Sequence, residues 1–147
     1  MSQINASNFD ELVTAVDSHP SNEELVEAIQ SSPGGVDGFL DQVFNGMKTS
    51  FNPQKAGGQQ ATVQYELTHP GGTSQYTMRI AEGRCEVERG SAESPRVTIK
   101  MSVADFVRLI AGRLNGMQAF MTGKLKVNGD LFFAQTFQSW FDRPAAS

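Results

Sequence analysis

Cysteine occurs once in this 147-residue chain, histidine twice and tryptophan once, and each scarcity removes a class of function. A single Cys85 forbids an internal disulfide, which fits a reducing compartment. His19 and His69 stand fifty residues apart, each directly before a proline in a loop-like segment, so a metal or proton-transfer role is not expected of either. No apolar run approaches the roughly 18 residues a membrane span needs. The opening MSQINASNFDE lacks the basic and apolar regions of a secretory signal, and the final Arg-Pro-Ala-Ala-Ser is not a Ser-Lys-Leu type peroxisomal address. The cytoplasm is the expected compartment.

Positive charge is scarce over most of the chain. Residues 1–95 carry thirteen acids and five bases, whereas residues 96–126 hold Arg96, Lys100, Arg108, Arg113, Lys124 and Lys126 against one acid, Asp105. With a net charge of -4 and no basic block interleaved with stacking aromatics, nucleic acid is not an expected partner. The basic stretch is either a solvated face paired with neighbouring acids or a patch that attracts an anionic headgroup, carboxylate or membrane surface.

Catalytic groups are missing too. Cys85 falls on the inward face of an expected strand with Val87, where a thiol is inert. Gly116 to Lys124 has glycines separated by six residues, not the four of a phosphate loop, and Leu125 stands where a magnesium-binding hydroxyl belongs. No Gly-x-Ser-x-Gly elbow occurs. An enzyme, a metal and a cofactor are therefore not expected.

What is present is ordered amphipathic structure on a chain of single-domain length. Phe9, Leu12, Val13 and Val16 mark one short helix, and Leu25, Ala28 and Ile29, opened by Ser21 and Glu24 as a capping box, mark a second. Ser31-Ser32-Pro33-Gly34-Gly35 sets a boundary between an N-terminal helical extension, 1–36, and a domain at 37–143. Phe39, Leu40, Val43, Phe44 and Met47 then describe a helix with one buried face. At Ala61 the period drops to two: Ala61, Val63, Tyr65 and Leu67, then Tyr76, Met78 and Ile80, then Cys85 and Val87, then Val97, Ile99 and Met101. Such alternation predicts a largely antiparallel sheet covered on one side. A helix from Ser102 stopped by Gly112, a short segment at Met117–Met121, a fifth strand at Leu125–Val127 and a last helix complete the order. The fold class is α+β.

That last helix carries the largest surplus. LFFAQTFQSWF, residues 131–141, packs five aromatics and no charge into eleven positions. At about 100° per residue Phe133, Phe137, Trp140 and Phe141 share one arc, with Phe132 off it. Five buried aromatics would cover about 750 to 1250 Å² on a segment about 16 Å long. This surface calls for a core, a second subunit or an apolar ligand.

The run VTIKMSVADFVRLIAGRLNGMQAFMTGKLKVNGDLFFAQTFQ, residues 97–138, closely resembles the sterol carrier protein type 2 family. The likeness rests on Asp105-Phe106, Ala111-Gly112, Gln118-Ala119-Phe120 and Gly123-Lys124-Leu125-Lys126-Val127 followed by Gly129. With the preceding helix and strands it covers roughly residues 37–141. The resemblance implies a five-stranded sheet with helices on one face, an apolar tunnel between them, and a non-catalytic carrier of fatty acids, acyl-coenzyme A, sterols or other lipids. By position the tunnel would be lined by Phe106, Val107, Ile110, Met117, Phe120, Met121 and Leu125 and closed by Phe133, Phe137 and Trp140. Lys124, Lys126, Arg108 and Arg113 are the candidates for holding an anionic headgroup. The alternative is an interaction module whose aromatic helix packs into a homodimer or onto a partner and binds no lipid; the oligomeric state is left open.

Overall fold

The computed structural model describes residues 9–19, 21–32, 34–137 and 140. Three helices lead: α1 (Phe9–Ser18), α2 (Asn22–Gln30) and α3 (Gly35–Ser50). Ser21 caps α2 as its sequence predicts, its Oγ accepting from the Glu24 amide at 3.1 Å while the hydroxyl reaches the Glu24 carboxylate at 3.1 Å. A one-turn helix that periodicity does not reveal, α4 (Pro53–Ala56), follows where Asn52 Oδ1 accepts from the Gln54 and Lys55 amides. Four strands come next, β1 (Ala61–His69), β2 (Gly72–Ala81), β3 (Arg84–Arg89) and β4 (Val97–Ser102). Then follow α5 (Val103–Ile110), α6 (Gly116–Met121), β5 (Lys126–Gly129) and α7 (Leu131–Phe137).

The five strands form one sheet in the order β3-β2-β1-β4-β5. β1–β2, β2–β3 and β4–β5 pair antiparallel, so the sheet is largely antiparallel as expected, but β4 lies parallel to β1. To reach that position from β3 the chain crosses β2 and β1 in the linker 90–96. The linker is tied down by Gly90 N to Gln75 O at 2.8 Å, Ala92 N to Gln64 Oε1 at 2.6 Å and Arg96 N to Thr62 O at 2.8 Å. Thr77 adds a hydroxyl bond to Gly90 O at 2.8 Å and another to Gln64 Oε1 at 3.3 Å. Gln64 and Thr77 are therefore buried, although alternation places them on the wet side of their strands. A crossover without a helix covers them, and its backbone meets the Thr77 hydroxyl and Gln64 Oε1, while Gln64 Nε2 donates to Tyr65 O at 3.5 Å.

The other side of the sheet carries the core. Rows run Met78, Val63, Val97 and Tyr76, Tyr65, Ile99 across β2, β1 and β4, all buried. Phe39, Leu40, Val43 and Phe44 of α3 and Val103, Phe106 and Val107 of α5 lie on this layer within one core cluster. Leu12, Ala15 and Val16 of α1 and Leu25, Ala28 and Ile29 of α2 belong to the same cluster, so the first two helices extend the core beyond α5 and α3.

Candidate functional site

The site predicted from sequence is centred on α5. Ser102 starts this helix by accepting from the Asp105 amide at 3.1 Å, and Asp105 is held by Asn22 Nδ2 at 3.5 Å. The cap fixes which face turns inward, and Phe106 and Val107 are buried against the sheet while Ile110 is half-buried. Phe106 stacks on Phe44 with centroids 5.2 Å apart and meets Tyr65 edge-on at 5.5 Å. Phe44 in turn stacks on Tyr76 at 4.6 Å. The Tyr76 hydroxyl leaves the apolar layer for Asp41 Oδ1 at 2.9 Å and Asp37 O at 3.0 Å. Burial raises the pKa of both tyrosines, so each stays a neutral phenol.

After α5 in the chain, α6 is opened by Asn115, whose side chain accepts from the Gln118 amide at 3.1 Å. Among the described side chains of this helix only Ala119 is buried, tied to the segment that leads into β5 by Leu125 N to Ala119 O at 3.0 Å. Leu125 is buried beside it. Met117, Phe120 and Met121 face solvent, with 55%, 42% and 76% of their surface exposed. α7 divides in the same way: Phe133 and Ala134 are buried, while Leu131 and Phe132 are 48% and 82% exposed. The Phe133 amide is capped by Asp130 Oδ1 at 2.9 Å, and the Arg96 guanidinium lies 4.2 Å over its ring. Trp140 is buried edge-on to Phe133 at 5.4 Å, and its carbonyl accepts from Asn52 N at 2.7 Å. The side chain of Phe137 and all of Phe141 lie outside the described residues.

Of the predicted lining residues, then, Phe106, Val107, Leu125, Phe133 and Trp140 are interior, Ile110 is at its margin, and Met117, Phe120 and Met121 are at the surface. Sequence reasoning passed over Phe44, Tyr65 and Tyr76, which share the ring cluster with Phe106. Their alternation and helical spacing marked them as core, but nothing in that pattern told which strand row would meet α5.

Most of the bases in 96–126 are paired. Arg113 grips Asp17 with two bonds of 2.9 Å, Arg96 meets Asp130 at 3.2 Å and Lys100 meets Glu66 at 3.8 Å. Arg108 binds Asn22 Oδ1 at 2.8 Å and His19 O at 3.0 Å, which fastens α5 to the α1–α2 turn. Lys124 and Lys126 are exposed and form no ion pair among the described residues.

Among the described residues, chemical groups elsewhere do not assemble a reaction centre. Burial pushes the Cys85 thiol up to about 12, and Glu86 adds to the effect. Asp37, Ser74 and His69 do meet: the Ser74 hydroxyl donates to Asp37 Oδ1 at 2.7 Å and lies 3.1 Å from His69 Nε2. The carboxylate holds the hydroxyl and not the imidazole, so it cannot orient the histidine as a base. Among the described residues no group of three or more His, Cys, Asp or Glu could hold a metal ion, and no helix is long and apolar enough to cross a membrane.

A model of the SCP-2 sterol transfer family matches residues 41–142. The chain belongs to this family. Among curated proteins it is 32% identical over 120 residues to hydroxysteroid dehydrogenase-like protein 2 of Bos taurus, covering 80% of this chain and 28% of that protein. The chain thus spans little more than a quarter of that relative's length. Among solved structures, palmitated SCP2L2 from Aedes aegypti matches with a TM-score of 0.59 at 18% identity, covering 68% of this chain and 91% of that one. A sec-alkylsulfatase from Pseudomonas sp. matches with a TM-score of 0.66 at 17% identity, covering 96% of this chain and 26% of the enzyme. These two likenesses concern the fold.

Proposed function

We propose that this chain is a non-catalytic lipid carrier that takes up a fatty acid, an acyl-coenzyme A, a sterol or a similar apolar ligand between its sheet and its helical cover. The reading gives Phe106, Val107, Ile110, Leu125, Phe133, Phe137 and Trp140 to the wall of an apolar tunnel, with Met117, Phe120 and Met121 at its outer end. In this reading residues 37–143 form the lipid-binding domain and residues 1–36 an extension that braces α5. The cytoplasm is its proposed compartment, in keeping with a single, unpaired Cys85.

The observation that carries the reading is the apolar surplus on α6 and α7. Five large side chains, Met117, Phe120, Met121, Leu131 and Phe132, stay in water outside the buried core cluster. They flank the buried Ala119, Leu125 and Phe133, so exposed and interior apolar surface are contiguous along the chain. Membership of a sterol transfer family and the palmitate carried by the Aedes aegypti relative support lipid as the guest. Energy permits it. A sixteen-carbon acyl chain offers roughly 11 kcal/mol, from about 14 methylenes at about 0.8 each, and ordering and association take back several kcal/mol. Hydrocarbon burial alone discriminates weakly between chains, by about 1 to 3 kcal/mol per methylene, so broad selectivity is expected.

The same exposed side chains favour a second reading, in which α6 and α7 pack against another copy or a partner protein and no lipid is bound. Native mass spectrometry of the purified protein, with extraction and identification of any co-purifying lipid, separates the two. A monomer with a lipid adduct, or one that takes up a fluorescent fatty acid stoichiometrically, supports the carrier. A dimer at all concentrations that neither retains nor takes up lipid replaces it with the interaction module.

A further inference from the structure

We propose that Arg96 is the headgroup-binding residue of the carrier: its guanidinium takes the carboxylate of a fatty acid whose chain runs from Phe133 along β5 toward α6. The proposal rests on the carrier reading and adds to it the class of cargo, an ionised fatty acid in preference to a neutral lipid of the same chain.

The cations named from sequence are turned elsewhere. Arg108 and Arg113 are engaged on the α1–α2 side, by Asn22 with His19 O and by Asp17. Lys126 pairs in register with Lys100, and Lys100 with Glu66, in one row on the sheet face opposite the buried Ile99. Arg96 instead stands against the proposed wall. Its Cζ lies 4.2 Å from the centroid of the Phe133 ring, and that ring is buried and meets Trp140 edge-on at 5.4 Å.

The guanidinium is held in place before any ligand arrives. Arg96 N donates to Thr62 O at 2.8 Å and Arg96 O accepts from Asp130 N at 3.1 Å, so its backbone is fixed to β1 on one side and to the β5–α7 junction on the other. Asp130 Oδ2 accepts from Nε at 3.2 Å, while Oδ1 is taken by the Phe133 amide at 2.9 Å. Among the described residues Nη1 and Nη2 have no hydrogen-bond partner. Phe133 covers one face of the cation, yet 42% of the side chain is exposed. What remains is a pair of in-plane N–H groups at the border of water and apolar wall, a geometry that takes a carboxylate through two parallel bonds. An aromatic ring in place of water on one side strengthens such bonds.

Strand register gives the ligand a direction. Val97 pairs with Gly129, so Arg96 and Asp130 sit at the end of the sheet where β4 begins and β5 finishes. From there β5 leads back to Leu125, buried and bonded to Ala119 of α6. Four residues at about 3.3 Å each separate the two ends by roughly 13 Å. A carboxylate on Arg96 sends its tail past Phe133 toward Leu125 and the exposed side chains of α6.

Competition for a fluorescent fatty acid by dodecanoate, dodecanol and dodecanoyl-coenzyme A, on the purified full chain, tests the proposal. The ratio of inhibition constants cancels the affinity of the probe itself. Wild type should favour dodecanoate over dodecanol about tenfold, the low end for hydrogen bonds to a charged group. Arg96→Gln should bring that ratio to about one through loss of dodecanoate, with circular dichroism confirming that the variant folds. Arg96→Lys keeps the charge and loses the fork, so its ratio should fall between the two, and it is read in place of Arg96→Gln if that variant unfolds. Dodecanoate brominated beside the carboxylate should quench Trp140 more than dodecanoate brominated at the far end. Equal inhibition by dodecanoate and dodecanol in wild type, a wild-type ratio in the folded variant, or equal or stronger quenching from the far bromine overturns the proposal and leaves the carrier standing. So does an Arg96→Gln variant that loses dodecanoyl-coenzyme A but keeps dodecanoate, which would assign the guanidinium to a phosphate. A chain that takes up neither probe nor competitor overturns the carrier reading and this one with it.

Discussion

Phe44 of α3 and Phe106 of α5 stack with their centroids 5.2 Å apart and their planes 29° apart, and Tyr65 of β1 meets both rings edge-on. Three elements distant in sequence converge on these rings, each almost fully buried. Phe106→Ala should cost about 3 to 5 kcal/mol, the usual range for emptying a buried phenylalanine site, whereas Phe106→Leu should cost clearly less. Urea unfolding followed by circular dichroism measures both. A loss no larger for alanine than for leucine would mean that the surrounding rings collapse into the space.

Acid should loosen the fold through three aspartates, Asp17 and Asp41 exposed and Asp130 half-buried. The Arg113 bond to Asp17, the Arg89 bond to Asp41 and the Phe133 amide on Asp130 hold these carboxyls below the ordinary 3.8. A carboxyl whose pKa is depressed by folding contributes stability that is present above its unfolded value and lost as pH falls through its folded value. Urea midpoints are therefore expected to hold near neutrality and to decline below about pH 5. Asp17→Asn should lower the neutral midpoint and shrink the acid-dependent part. A variant with the same decline as the wild type would show that the Arg113 pair contributes nothing, which is the outcome for many exposed ion pairs.

The secondary structure was largely legible because each element repeats its own period: Val63, Tyr65 and Leu67 at two, Phe39, Val43 and Phe44 at helical spacing. Pairing was less so. The same alternation serves a parallel or an antiparallel neighbour, so nothing in Val97, Ile99 and Met101 told that β4 would join β1 parallel. The burial of Gln64 and Thr77 is hidden for the same reason, since period two marks the face of a strand but not what crosses it. In the candidate site, Phe106 and Val107 faced inward as their spacing required. Met117, Phe120 and Met121 followed from a family likeness, and α6 is too short for periodicity to assign its inner face.

Gly129 links β5 to α7 where a side chain has no room. Its φ is +106°, and a Cβ there would stand 2.5 Å from Arg96 O and 3.2 Å from Val97 Cα. Both atoms belong to backbone that also anchors Asp130 N to Arg96 O at 3.1 Å. Gly129→Ala should therefore destabilise by about 1 to 3 kcal/mol from the strained φ alone, and by more if β4 must shift. Differential scanning calorimetry measures it. Gly57→Ala is the comparison, since its φ is also positive but nothing lies within 4 Å of a Cβ there. Equal losses at the two sites would leave φ as the whole cause and remove the steric argument.

Trp140 reports on the closed end of the proposed tunnel because it is the sole tryptophan and is buried. Its ring meets Phe133 at 5.4 Å, and its carbonyl is fixed by Asn52 N at the junction of α3 and α4. Emission from the empty protein should accordingly be that of an apolar environment. If a fatty acid lies against Phe133, one carrying a fluorophore that absorbs tryptophan emission should quench Trp140 and saturate at one molecule per chain. Phe133→Ala should weaken that uptake while leaving Trp140 in place through its backbone bond. Saturable binding of the probe with no transfer from Trp140 would put the acyl chain away from α7, and the wall would then have to be drawn from α5 and the sheet alone.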